Sequence, residues 1–473
     1  MSVGRRRMLM GSSGGSKYGN FGGYMFTPGP LVYENRAYRV QKTWNEVNSY
    51  RSVYGTTNGS TYFRFLDIGK SFDSRGSSFS SSSGSIDNAN PMSFDEYDDW
   101  GIPTQSALKM LISTTRNGST VNGNTKKHYS RITTNITYAG QSNMGGYLFF
   151  PDDEIITGKT LSVFDSYTKA ASNVSSDELN EYLNQGCIFL PFAGSYTGSW
   201  RYGGSSCNII SATGNNSTVT YGISASDSYL GTYDLAKSNE YTIIYLCRKI
   251  PKPTPPLKSF GGLYFTPGPL VYDGSNFQVQ PYWNEINSYN SKSGLTAGST
   301  YFSYSNISSL SSLSWKNKNW RVPTQNEFKK LVGTDSGYTR NGSTVNGNTG
   351  KHYSIIQTNI TYATASNMKG YIFFPDDQTI TGDISFSYFD DYDFSTFAAT
   401  GVTESQLDNY ISQGCLFMPF SGANMSGWSN LNNYGYSWTN SSGKNFIYGL
   451  YEMGITGLNN TYSTPVILCT DAT

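Results

Sequence analysis

Charge is scarce in this chain. Charged residues make up 14% of its 473 residues, and 34 Lys+Arg against 33 Asp+Glu leave a net charge of +1. With no global field to draw in a polyanion, no nucleic-acid groove is expected. Long apolar runs are missing as well. None approaches the roughly 18 residues of a membrane-spanning helix, so no membrane insertion is expected. The start, MSVGRRRMLMGSSGGSKYG, has a positive stretch but only Met-Leu-Met as an apolar core, which is short for an export signal. Cysteines number five, an odd count that excludes a fully paired disulfide framework. Cys187 and Cys415 open the matching runs CIFLPF and CLFMPF, while Cys247 and Cys469 close TIIYLC and VILC. Cysteine in such strands behaves as a small hydrophobe, so buried, reduced thiols and folding in a reducing cytoplasm are expected.

Glycine (50), tyrosine (38), serine, asparagine and threonine fill the space left by charge. Disordered chains are poor in aromatics, and here aromatics reach 15%. Tyr and Trp give contact area at low entropic cost while Ser, Asn and Gly adapt their hydrogen bonds, a mixture that binding surfaces use. Loop-rich extracellular and virion proteins share it.

The chain repeats itself. GGYMFTPGPLVY at Gly22 returns as GGLYFTPGPLVY at Gly261, 239 residues on, and TRNGSTVNGNT at Thr115 recurs unchanged at Thr339, 224 on. NMGGYLFFPDD at Asn143 returns at Asn367, and LNQGCIFLPF at Leu183 matches ISQGCLFMPF at Ile411, at offsets of 224 and 228. Shifting offsets place insertions in loops between blocks that stay in register. Between the copies RKIPKPTPPLK carries four prolines, which forbid helix and favour an extended spacer. The organisation expected is a basic arm over 1–20, one domain over 21–248, a Pro-rich linker over 249–259 and a second domain over 260–473.

Within a copy, Thr324 with Glu327 forms a capping box ahead of Phe328, Leu331 and Val332, which predicts a helix. The first copy keeps Leu108, Leu111 and Ile112 but has Ala107 at the acid's position. A second helix is predicted to start at Ser175 with Glu178 and at Thr403 with Gln406. Its apolar faces are Leu179, Tyr182 and Leu183, and Leu407, Tyr410 and Ile411. A third is expected over Trp44–Tyr50 and Trp283–Tyr289. The remainder reads as short strands between Gly, Asn and Ser turns, giving α+β modules with a small, mostly antiparallel sheet.

The series YFTPGPL, WRVPTQNEFKKL, GYIFFPDD, GCLFMPFSG and YGYSWTNSS resembles the Fibrobacter major paralogous domain family, in the formylglycine-generating-enzyme-like branch of the C-type-lectin fold. Trp320, Arg321, Pro323, Thr324 and Glu327 carry its W-R-x-P-T-x-x-E element, and Gly435 and Trp438 approximate its G-x-x-W. The first copy departs from it, with Gly101 in place of the arginine and no tryptophan in YGGSSCNII. The resemblance implies two tandem C-type-lectin-like domains used for display. It points to adhesins, surface repeats and phage appendage proteins, some varied near their last strand. The stretch WSNLNNYGYSWTNSS would suit such a face, with Trp428, Asn430, Asn432, Asn433, Tyr434, Tyr436 and Trp438 as candidate binding residues. The arm is similar in character to basic starts of virion appendage proteins from phages of Bacteroides-like hosts. Arg5, Arg6 and Arg7 can fork onto carboxylates, and Met8, Leu9 and Met10 adapt to apolar gaps, which makes a plausible docking plug; a solvated terminus is the plain alternative.

Catalysis is not expected. His128 and His352, the only histidines, sit in matching KHYS contexts, with no nucleophile motif to serve, and read as structural. The catalytic cysteine pattern of the formylglycine-generating enzymes has no counterpart. Asp152, Asp153, Asp376 and Asp377 are the candidate calcium ligands, although two carboxylates rarely complete a shell of about six to eight oxygens. The EPN, QPD and WND signatures of calcium lectins are absent, and no cofactor or metal is assigned. The repeated TRNGSTVNGNT suits a hairpin, since Asn-Gly fits a type I′ turn. The function expected is a virion structural or appendage protein (head fibre, capsid decoration or tail-associated adhesin) that attaches to a host surface protein or glycan. Its arm would hold other virion proteins, in a homo-oligomer. A bacterial cell-surface adhesin is the alternative, and an enzyme of the formylglycine-generating branch the remote one.

Overall fold

Turn chemistry sets the shape of each repeat. In the computed structural model, strands Ser119–Val121 and Asn124–Lys127 meet at Asn122 (φ 48°) and Gly123 (φ 80°), the paired positive φ of a type I′ hairpin. Asn346 (φ 47°) and Gly347 (φ 85°) repeat it between Ser343–Val345 and Asn348–Lys351. The residues described are 18–43, 53–80, 82, 84–137, 141–167, 170–283, 293–308, 310, 312–333, 337–360, 367–391, 399–424 and 427–472. Arg5–Met10 of the arm lies outside them, as does the third helix expected over 44–50 and 283–289, except for the buried Trp283.

The chain divides into two compact units between Lys252 and Pro253. In the first, the opening strand Tyr24–Phe26 pairs antiparallel with the closing strand Cys247–Lys249. A four-stranded sheet then runs in the order 172–174, 129–134, 145–149, 188–191, with its first pair parallel and the rest antiparallel. A three-stranded sheet of 206–214, 219–226 and 230–236 follows. The second unit repeats this plan. Leu263–Phe265 pairs with Cys469–Asp471, the four-stranded order is 400–402, 353–358, 369–373, 416–419, and the three-stranded sheet is 434–438, 444–449, 453–457. The class is mixed α and β, with several small sheets per unit rather than the one small sheet expected. Gly, Asn and Ser recur every few residues, and most strands end after two to six.

Helices form where the caps specify them. Gln325–Val332 starts at Thr324, whose side chain accepts from Glu327 N while Glu327 accepts from Thr324 N (2.7 Å). Gln105–Ile112 keeps the Thr104 cap but, with Ala107, lacks the reciprocal bond. Ser176–Asn184 and Glu404–Ser412 have full capping boxes from Ser175 with Glu178 and Thr403 with Gln406. Each unit's main core packs these helices on the four-stranded sheet, with Leu108, Leu111, Leu179 and Tyr182 in one and Phe328, Leu331, Leu407 and Tyr410 in the other. A smaller core gathers around Trp100 in the first unit and around Trp320 and Trp438 in the second.

Two segments given above to arm and linker pack on a unit. Tyr18 is buried edge-on to Trp100 at 5.5 Å. Within the second unit Tyr282 Oη donates to Pro253 O (2.7 Å), Lys316 Nζ to Pro255 O (2.5 Å) and Lys258 Nζ to Gln378 Oε1 (2.9 Å), and Leu257 joins the core around Trp320. No helix among the described residues is long and apolar enough to cross a membrane.

Candidate functional site

The residues identical in both copies build an ionic cluster inside each unit. Arg340, with a side chain 1% exposed, donates through Nε to Leu331 O (3.1 Å) and through its terminal nitrogens to Phe374 O (2.9 Å), His352 O (3.0 Å) and Asp376 Oδ1 (3.0 Å). Asp376 Oδ2 accepts from Gly261 N (2.6 Å) and Ser259 Oγ (3.0 Å), tying the start of the unit to its centre. In the first unit Arg116 reaches Phe150 O (2.8 Å), His128 O (3.1 Å) and Asp152, whose other oxygen accepts from Gly22 N (2.6 Å). The calcium candidates are thereby corrected. Asp152 and Asp376 hold a guanidinium and a backbone N–H rather than an open cation shell. Asp153 (φ 61°) and Asp377 (φ 53°) are left-handed turn residues that accept from Asn117 Nδ2 (3.1 Å) and Asn341 Nδ2 (2.8 Å). Among the described residues no three His, Cys, Asp or Glu side chains are grouped to hold a metal ion.

Both histidines belong to this cluster. His352 sets Nε2 against Arg340 O (3.1 Å) and Nδ1 against Asp390 Oδ2 (3.4 Å). His128 does the same with Arg116 O (3.0 Å) and Asp165 Oδ2 (3.3 Å). In both rings one nitrogen faces a carbonyl and the other a carboxylate, so neither nitrogen is directed at a substrate. The hydrogen bond to Asp390 raises the His352 pKa above its ordinary value, against burial and the Arg340 charge. Burial pushes Asp390 up, but bonds from His352 and Tyr353 outweigh it and leave the carboxyl below its usual range. A folded-state histidine pKa above the unfolded one stabilises most below about pH 6.5, and that contribution disappears as pH rises through the folded value. The second unit is therefore expected to lose stability on the alkaline side of that window. His352→Gln should flatten the slope when urea midpoints are compared from pH 6 to 9.

The five cysteines are free and buried. Burial pushes every thiol up, Cys247 to about 12 and the other four further. None is a thiolate at neutral pH, the form a nucleophile needs.

The candidate face at 428–438 separates into core and surface. Trp438 is 0% exposed and donates from Nε1 to Phe302 O (2.8 Å), so it cannot meet a ligand. Tyr436 is buried against Ala423 and Ile447 and accepts from Asn430 Nδ2 (3.0 Å). Asn430 (φ 61°) and Asn432 (φ 65°) hold left-handed turns, and Asn432 Oδ1 accepts from Lys369 N (2.6 Å). Tyr434 is half-buried and Asn433 exposed. Trp428 lies on the short strand Trp428–Ser429, and its side chain is outside the description.

A different constellation emerges in the first unit, from residues that sequence spacing keeps apart. Tyr62 is buried, with Oη donating to Ala193 O (2.7 Å), and Trp200 stands edge-on to it at 4.8 Å. Tyr196 lies 5.1 Å from Trp200, Tyr54 stacks on Tyr196 at 4.2 Å and 21°, and Tyr241 meets Tyr54 edge-on at 4.8 Å. The Arg64 guanidinium sits 5.0 Å from the Tyr241 ring. It is held by Asp67 (2.8 and 3.1 Å) and Ser238 O (3.1 Å). Tyr54 is 37% exposed, and Tyr196, Tyr241 and Trp200 are each part-exposed.

The second unit builds the same backbone without the three tyrosines, and keeps the tryptophan, since Trp428 pairs with Asn424 as Trp200 pairs with Tyr196. Gly294 N donates to Tyr301 O as Gly55 N does to Tyr62 O, both at 2.8 Å, and Asn424 bridges Ser463 as Tyr196 bridges Tyr241. Tyr301 Oη donates to Ser421 O (2.6 Å), the counterpart of the Tyr62 bond. These matches place Ser293, Asn424 and Ser463 where the first unit has Tyr54, Tyr196 and Tyr241. Ser303 and Asn306 stand for Arg64 and Asp67, and Ser303 N donates to Asn306 Oδ1 (3.1 Å) as Arg64 N does to Asp67 Oδ2 (3.3 Å). No protein-family model, curated protein or solved structure matches the chain.

Proposed function

We propose that the chain is a non-catalytic display protein. In this reading two C-type-lectin-like modules in tandem are carried on a phage particle as a head fibre, capsid decoration or tail-associated adhesin. The basic arm, Arg5–Arg7 with Met8, Leu9 and Met10, docks it on other virion proteins, and the modules meet a host surface protein or glycan. One observation carries the reading. The duplication keeps the main core of helices on a four-stranded sheet and changes tyrosines on the surface to serine and asparagine, which is what a scaffold retained for presentation requires. Each module opens and closes on one paired ribbon, which leaves its loops free to project. The locked histidines and protonated thiols favour binding over turnover.

Mass spectrometry of purified particles from phages of Bacteroides-like hosts tests the placement. Peptides of the chain are expected in the particles. Their absence there, with recovery in outer-membrane fractions, would replace the phage reading with a bacterial adhesin.

A further inference from the structure

We infer that the first unit carries a carbohydrate platform of Tyr54, Tyr196, Tyr241 and Trp200, edged by Arg64 and Asp67, and that its ligand is a neutral saccharide. The inference rests on the attachment reading and assigns the surface that makes the contact.

The duplication supplies an internal control. If the three tyrosines were needed to fold this corner, the second unit could not form the same bridge and the same Gly–Tyr hydrogen bond with Ser293, Asn424 and Ser463. It forms both, while the buried anchor is a tyrosine in each unit, Tyr62 and Tyr301. The three tyrosines are thus an addition to a scaffold that closes without them, while the tryptophan is common to both units, as Trp200 and Trp428. Stacking of Tyr54 on Tyr196, with Tyr241 edge-on to both at 4.8 and 5.7 Å, fixes the rings before any ligand arrives, which lowers the ordering cost of binding. An aromatic body with a wet hydroxyl suits a partner that is apolar on one face and polar at its rim. A pyranose ring has that character, with C–H groups on its faces and hydroxyls around its edge.

Charge narrows the class. Arg64 is neutralised by Asp67, and Glu240, next to Tyr241, accepts from Asn208 Nδ2 (2.7 Å). Among the described residues the cation seated against these rings, Arg64, is already paired, which favours a neutral sugar over a phosphate, uronate or sialate, while the guanidinium and carboxylate supply donors and acceptors for hydroxyls. Area argues against a protein ligand. A standard interface takes about 800 Å² from each partner, and four rings, one 37% exposed and three less, give only a fraction of that.

The full chain and its Tyr54→Ser/Tyr196→Asn/Tyr241→Ser variant should be compared by affinity electrophoresis in gels of dextran, mannan, xylan, a β-glucan and, as the acidic control, hyaluronate. The variant carries the residues that the second unit already accommodates, and circular dichroism checks its fold. At least one neutral polysaccharide should retard the parent chain, with affinity at least tenfold weaker in the variant. No retardation by a neutral polymer, retardation by hyaluronate alone, or equal retardation of parent and variant would overturn the assignment. Labelled chain on Bacteroides-like cells separates this from the broader reading. Equal binding of parent and variant would end the platform and leave attachment standing, whereas binding by neither would remove attachment while the gels still judge the platform. Parent binding that protease treatment of the cells abolishes and periodate spares would identify a protein ligand and refute the saccharide.

Discussion

Arg340→Ala should lower the stability of the second unit by about 3–5 kcal/mol, the usual cost of removing one partner of a buried ion pair. The reason is visible in what the guanidinium holds. Asp376 would be left enclosed without its cation, and the carbonyls of Leu331, Phe374 and His352 would each lose a donor. At roughly 2–4 °C per kcal/mol for a domain of this size, the unit's melting temperature should fall by about 6–20 °C. Hydrogen exchange read by mass spectrometry assigns the loss to a unit. Peptides spanning Tyr353–Thr358 and Lys369–Phe373 should lose protection in Arg340→Ala while Tyr129–Thr134 and Gly145–Phe149 keep theirs, and Arg116→Ala should do the reverse. A loss below about 1 kcal/mol, as for an exposed pair, would refute the role assigned to the cluster.

This cluster marks where the sequence stops being readable. Arg116 and Arg340 sit in a block that is identical in both copies, and the Asn-Gly turn inside it accounts for its hairpin. The turn is local chemistry, so it was legible. The arginine's partners, Asp152 and Asp376, lie 36 residues further on, and nothing in a one-dimensional pattern joins them. Identity of a charged residue across two diverged copies was the available signal, since a solvated arginine has no reason to stay fixed. The helices at 105–112, 325–332, 176–184 and 404–412 were legible because caps and apolar spacing agree within one or two turns. Phe65–Phe72 escaped because Arg64 is an unusual cap and Gly69 interrupts its pattern, yet Phe65, Ile68 and Phe72 are core. The platform was less legible still. Tyr54 and Tyr196 are 142 residues apart, and aligning the copies shows that both differ without showing that they touch.

Trp438→Ala is expected to cost the second unit about 3–5 kcal/mol, the range for emptying an aromatic site in a packed core. The sequence places this residue on a ligand-facing surface because Asn and Tyr surround it, but burial deepens along the strand, from the half-buried Tyr434 to the enclosed Trp438. On the strand Tyr434–Trp438 the last residue turns inward beside Phe302 and Tyr304. The first unit fills the matching site with Ile210, which is also 0% exposed and takes the same place relative to the parallel bridge (Gly194 to Cys207, Gly422 to Gly435). Trp438→Ile should therefore cost less than alanine, yet more than nothing, because Phe302 O loses the indole donor. Asn433→Ala, five residues earlier and exposed, should stay within about 0.5 kcal/mol of the parent. Urea unfolding of the three variants orders them. An alanine variant at 438 as stable as the one at 433 would return this tryptophan to the surface, and with it the case for binding at this loop rather than at the tyrosines of the first unit.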